Sequence, residues 1–256
     1  MSEMVGEDMS GYDIVITDLV PILISGARLL SGPGVNIFVG PKRKCFVVHA
    51  TLLCQSCACF KRRLRGIEQN EDTNKEFYLP DDDTEVFQLF HTWLYSQKLK
   101  PIVKRCKEKG GTFEDDHIGS TELYFNLYYM AEARNLHSLQ NLTMDRLRQY
   151  YATENRISGS ERCEQVYQRT KPGSPLRSLM VQQFLSIYTE KKQTSETAAK
   201  ALCARLQMKK GETFMVDMFE AVRRRVSKRA WPFPNDENGC VFHYHEIGQV
   251  CGGSRT

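Results

Sequence analysis

No stretch of this chain comes near the roughly 20 apolar residues that a membrane-spanning helix needs. Its most apolar early run, Ile14 to Leu30, is broken by Asp18, Pro21 and Arg28. A large excess of one charge is missing too: 35 basic and 31 acidic residues leave a formal net charge of +4, which gives no general footprint for nucleic acid. The opening residues, from Met1-Ser2-Glu3 to Glu7-Asp8, are acidic where a secretory signal carries a positive region. Nine cysteines, an odd number, do not suit a disulfide framework. These absences lead us to expect an unexported intracellular chain, cytoplasmic or nuclear, in a reducing compartment and without a membrane partner. There is no Gly-rich phosphate loop and no internal repeat at solenoid periods. What remains is an apolar content of 41% over 256 residues, enough to fill a core of ordinary size and a second small unit.

The most informative segment is 35 to 96. Val35 to Gly40 alternates apolar with polar or small residues, Pro41 to Lys44 supplies a turn, and Cys45-Phe46-Val47-Val48 resumes β-rich sequence, which predicts a hairpin. After His49 the spacing becomes helical, with Leu52, Leu53, Cys57 and Phe60 on one face, and a helical pair is expected. A short strand follows at Phe77-Tyr78-Leu79, then a turn at Pro80, then Asp82-x-x-Glu85, read as a capping box. The helix so announced is amphipathic. Val86, Phe87, Leu89, Phe90, Trp93 and Leu94 make its buried stripe, leaving Gln88, His91, Thr92 and Tyr95 on the other side as candidate protein-binding residues.

From Lys98 to Ser120, blocks of like charge around Gly110-Gly111 read as a solvated loop. Helical periodicity returns at Leu123, Leu127, Met130, Ala131 and Arg134, and again at Leu139, Leu142, Met144 and Leu147. A boundary is expected between Ala152 and Ser160. Beyond it, Ser174-Pro175 offers a cap and a first helical position, with Leu176, Leu179, Met180, Gln183, Phe184 and Ile187 forming a mainly apolar face. Further helices are expected at Ser195 to Met208 and Thr213 to Lys228.

Three groups of residues carry chemistry. His49 stands near Cys54, Cys57 and Cys59, and a thiol beside an imidazole is the raw material of a nucleophilic site. Those cysteines fall in or beside an apolar helix face, where free Cys behaves as a small hydrophobe, and no third orienting group accompanies them. No catalytic residues are assigned, and the chain is expected not to be an enzyme. Cys240, His243, His245 and Cys251 have the donor types of a tetrahedral structural zinc site. The competing reading, which we adopt, is a β-like segment from Cys240 to His245 with Phe242 and Tyr244 packed on one face and both histidines in water. No cofactor is therefore expected, structural zinc being the alternative. Arg223-Arg224-Arg225 and Lys228-Arg229 close a helix in which Met215, Met218, Phe219, Val222 and Val226 are expected to be buried. Cations suit a helix C-terminus, while a nuclear import signal, together with Lys209-Lys210, is the sharper alternative.

The chain resembles the BTB/POZ family, and within it fungal BTB domain-containing proteins. The resemblance rests on the strand before Gly40, on FVVHATLLCQSCACF at 46 to 60, on FYLPDDDTEVFQLFHTWLYSQKL at 77 to 99, and on LYFNLYYMAEARNLHSLQNLTMDRL at 123 to 147. VYQRTKPGSPLRSLMV is similar to the region that follows the domain in fungal members, and the Cys-x-x-His-x-His tail resembles theirs. The resemblance implies an α+β fold, a small sheet capped by a helical cluster. It divides the chain into an extension at 1–34 with a dimerisation helix around Leu19 to Leu30, a BTB/POZ domain at 35–151, and a helical C-terminal region with a Cys/His tail at 152–256.

What the resemblance implies for function is a non-enzymatic adaptor that binds proteins, forms homodimers and docks to a cullin-type ubiquitin ligase scaffold. Two departures bear on this. The charged pocket of transcriptional BTB dimers has Gly34 and Ala50 at its positions here, which argues against a corepressor role. In cullin adaptors the long helix carries a hydrophobic residue, any residue, then an acid; the corresponding Phe87-Gln88-Leu89 puts leucine in the acid's place. The alternative is a nuclear regulatory protein whose basic C-terminal helix contacts nucleic acid or import machinery.

Overall fold

A computed structural model describes residues 30, 33–68, 76–102, 115–154, 156–189, 195–225 and 239–245. Two strands open it, β1 (Gly34–Val39) and β2 (Lys44–His49), paired antiparallel with Val35 opposite Val48 and Ile37 opposite Phe46. Val35, Ile37 and Val39 all point into the core, as the two-residue period of a strand requires. The turn between the strands needs glycine at position 40. Its φ is +71°, and a Cβ there would stand 2.8 Å from Thr84 Oγ1. Helices α1 (Ala50–Ser56) and α2 (Ala58–Glu68) follow, broken at Cys57, whose φ of −146° is extended. Strand β3 (Glu76–Leu79) then returns parallel to β1, giving the order β2-β1-β3.

Helix α3 (Thr84–Ser96) covers the sheet. Val86, Phe87, Phe90, Trp93 and Leu94 are buried, and Phe87 packs 4.9 Å from Phe46, ring centre to ring centre. Its N-terminal cap lies one residue later than the sequence suggests. Asp83, not Asp82, accepts from the amides of Glu85 (2.7 Å) and Val86 (3.0 Å), because the turn after Pro80 consumes one more residue, closing with the Asp82 amide on the Leu79 carbonyl. Asp82 instead pairs with Arg134 at the far end of the next helix. Gln97 ends α3 in the left-handed region at φ 55°.

Helices α4 (Asp115–Ala133) and α5 (His137–Thr153) form a hairpin. Helix α4 begins well before the periodicity that starts at Leu123. Residues 115 to 120, which read as part of a charged loop, belong to this helix. Phe125, Leu127, Tyr128 and Ala131 are fully buried along it. Two further helices, α6 (Ser160–Arg169) and α7 (Pro175–Thr189), dock on α4 through polar pairs: Arg162 with Glu122, Arg169 Nη1 donating to Asn126 Oδ1 at 2.6 Å, and Ser174 Oγ donating to Glu132 Oε1 at 2.6 Å. The Ser174 hydroxyl, expected as a helix cap, is thus turned toward a neighbouring helix. Buried side chains form one cluster reaching from the sheet to these helices.

Helices α8 (Ser195–Leu206) and α9 (Gly211–Arg225) complete the helical part. The apolar face of α9 differs from expectation. Phe214 is fully buried, 5.7 Å from both Tyr167 and Phe184. Met218 and Ala221 follow it along the inner face, and Asp217 is drawn inward to accept from the Tyr167 hydroxyl at 2.8 Å. Of the residues expected inside, Met215 and Met218 pack against the core, while Phe219 at 68% and Val222 are exposed, beside Val216 at 61%. Val226 lies outside the described residues. The α+β class holds at this level, a three-stranded sheet with a majority of helix, and no described helix is long and apolar enough to cross a membrane. The expected dimerisation helix around Leu19 to Leu30 falls, apart from Leu30, outside the described residues.

Candidate functional site

One exposed face is built jointly by β2 and α3. The strand alternates Phe46 inward, Val47 outward and Val48 inward, leaving Val47 61% exposed. Beside it the outward residues of α3 line up, with Gln88 and Thr92 exposed and His91 and Tyr95 half-buried. Lys44 Nζ donates to Gln88 Oε1 at 3.3 Å, tying strand to helix. The His91 ring lies between the rings of Phe46 (5.7 Å) and Tyr95 (5.1 Å), its Nε2 3.4 Å from the Val47 carbonyl oxygen. Thr92 donates its hydroxyl to the Gln88 carbonyl at 2.9 Å, one turn back on its own helix. The four α3 residues read from the sequence therefore share one surface. Lys44 and Val47 were missed, although an apolar residue at an outward strand position was the available signal.

Tyr95 also reaches under this face. Its hydroxyl meets the backbone amide of His49 at 3.2 Å and the His49 Nδ1 at 2.9 Å, so the imidazole is used to join the end of β2 to α3. That arrangement keeps His49 in a bracing role. The neighbouring thiols of Cys57 and Cys59 interact instead with each other at the start of α2. Their mutual hydrogen bond lowers the pKa of Cys57, to about 6, and raises that of Cys59; the amides of Phe60 and Cys59 also favour a Cys57 thiolate. Cys57 Sγ lies 3.5 Å from the Arg134 carbonyl, a contact only the protonated thiol can make.

Three of the four candidate zinc ligands, Cys240, His243 and His245, fall among the described residues. Among the described residues no group of three or more His, Cys, Asp or Glu side chains is placed to hold a metal ion, and Cys251 lies outside those residues. His243 Nε2 donates to Asp145 Oδ1, 2.8 Å away, and its ring is 6.0 Å from that of His245. The adopted β-like reading is also corrected. Gly239–Phe242 is a turn of 3-10 helix, Phe242 is buried, Tyr244 stacks on His137 rather than following Phe242 inward, and His243 is sheltered rather than solvated. A strand must find partners for its backbone groups; among the described residues no strand lies beside this segment, and the Asn141 side chain of α5 meets the Tyr244 backbone instead.

In the basic helix, Arg223 pairs with Glu220 at 2.9 Å, Arg224 is exposed, and Lys209 and Lys210 are exposed ahead of α9. Lys228 and Arg229 lie outside the described residues. No protein family model matches the chain, and a search of curated proteins finds no match.

Proposed function

We propose that this chain is a BTB/POZ protein interaction adaptor, not an enzyme, whose partner-binding surface is the β2 and α3 face. The observation that carries this reading is the composition of that face: an exposed valine and two aromatic rings, Tyr95 and His91, bordered by the polar residues Lys44, Gln88 and Thr92. A small apolar centre with a hydrogen-bonding rim is the usual make-up of a protein interface. The order of elements, a hairpin, a helical pair, a parallel third strand and a capped amphipathic helix, supports the same family reading. The partner classes are a second copy of the chain and a cullin-type scaffold. In the second case Phe87, fully buried against Phe46 and Phe90, cannot itself contact the scaffold, leaving Gln88 and its outward neighbours to do so.

The test uses two outward substitutions that leave the core intact, Val47→Glu and Thr92→Arg. Sedimentation at tens of micromolar reads self-association, and binding to a purified cullin reads docking. The reading requires that at least one of these associations exists in the parent chain, falls tenfold or more in either variant, and resists added salt. Association that collapses as salt rises, with a slope set by released counterions, would instead favour the nucleic-acid alternative.

A further inference from the structure

The outer face of α5 holds a short stretch of the chain's own C-terminal region in the way a peptide-binding site holds a ligand. His137, Asn141, Asp145 and Arg148 recur at helical spacing, which places them on one side of α5. Each engages the segment at 242 to 244. The ring of Phe242 is 1% exposed and lies beneath the Arg148 guanidinium, 4.6 Å from carbon to ring centre. Asp145 accepts from Arg148 at 3.4 Å and meets His243 at 2.8 Å. Tyr244 stacks on His137 with ring centres 3.8 Å apart. The Asn141 amide does most to define the contact. Its Nδ2 donates to the Tyr244 carbonyl at 3.0 Å, and its Oδ1 accepts from the Tyr244 amide at 2.8 Å.

A side-chain amide that satisfies both backbone groups of one residue does what a neighbouring strand would do. It holds a backbone without reading its side chain. Phe242 then supplies an aromatic anchor in a pocket, and the stacked Tyr244 a second, partly open one. Residues 226 to 241, sixteen positions, separate the end of α9 from this segment. Covalent attachment makes binding of the segment intramolecular, which raises its effective concentration at the site. Modest intrinsic affinity therefore suffices to keep the site filled from within.

We propose that this face of α5 is a binding site for a Phe-His-Tyr segment, occupied in cis by residues 242 to 244, and that the same segment of a second copy occupies it when the cis segment is displaced. This surface is separate from the β2 and α3 face and does not depend on the function proposed above. The cis segment is the resident ligand; His137, Asn141, Asp145 and Arg148 are the α5 side of its receptor, and α7 packs against the 239–242 turn from the other.

The probe is a fluorescein-labelled peptide of residues 239 to 246, titrated against the full chain by fluorescence anisotropy in the presence of a metal chelator. The parent chain should bind it weakly, because its own segment competes. Full-length Phe242→Ala should bind it at least tenfold more tightly. Full-length Tyr244→Ala, altered where the ring is 42% exposed, should show the same direction and covers the case in which Phe242→Ala does not fold. Adding Asn141→Ala to either variant should return binding to the parent level or below. Folded variants that bind the peptide no better than the parent would overturn the proposal, as would tightened binding that ignores Asn141→Ala.

Discussion

Helices α3 and α9 are both amphipathic in sequence, and only one of them is enclosed. Helix α3 lies between the sheet and the rest of the helical cluster, so its entire apolar stripe finds partners, from Phe46 on β2 to Phe60 on α2. Helix α9 rests on α6, α7 and α8 from one side, burying Phe214 and leaving Val216, Phe219 and Val222 outside. The comparison teaches that an apolar period locates a helix, whereas the number of neighbours decides which of its residues are inside. The observed rotation of α9 puts Phe214 between Tyr167 and Phe184 and Asp217 on the Tyr167 hydroxyl, where apolar pattern alone leaves two stripes to choose from.

Substitutions can break or sharpen this contrast. The largest effect should come from Phe90→Ala on α3, where loss of a ring packed against Phe60, Phe87 and Trp93 should cost about 3 to 5 kcal/mol in denaturant unfolding. A midpoint close to that of the parent would mean that α3 is not enclosed as described. Removal of the α3 cap by Asp83→Ala should cost about 1 kcal/mol, and more than Asp82→Ala costs in helix initiation, since only Asp83 holds the two first-turn amides. Circular dichroism with denaturant titration would order the two. At the small end, Phe219→Ser should change stability by less than about 0.5 kcal/mol, the usual range for an exposed position away from special features. A loss comparable to that of Phe90→Ala would show that the outer face of α9 is covered in solution.

The sheet, the helical pair and α3 were legible because each depends on local rules: strand alternation at Val35, Ile37 and Val39, and a helical stripe ending in Trp93 and Leu94. What escaped depends on choices between equals or on distant partners. Asp81, Asp82 and Asp83 are three adjacent candidates for one cap, and only the length of the turn after Leu79 selects among them. The α3 half of the candidate face was readable as the polar side of one helix, while its β2 half, with Lys44 and Val47, needed the pairing of strand and helix across 44 residues. The tail was misread because Asn141 stands 103 residues away from Tyr244, a separation over which spacing carries no information.

The central strand sets an order of assembly. Among the described residues all inter-strand pairing passes through β1: its antiparallel edge meets β2 across a four-residue turn, while its parallel edge meets β3 with Asn36 opposite Glu76, forty residues away. A hairpin of the first kind closes in about 1 to 10 μs, whereas distant pairing must first meet the entropy of closing the intervening chain. During synthesis the hairpin thus exists before its third strand has been made. Until residues 76 to 79 emerge, the backbone of Asn36 to Val39 is an open edge, with the same unpaired donors and acceptors that invite intermolecular strand pairing. The α1 and α2 pair, encoded between the two pairing events, is the segment whose own folding brings β3 back to close that edge.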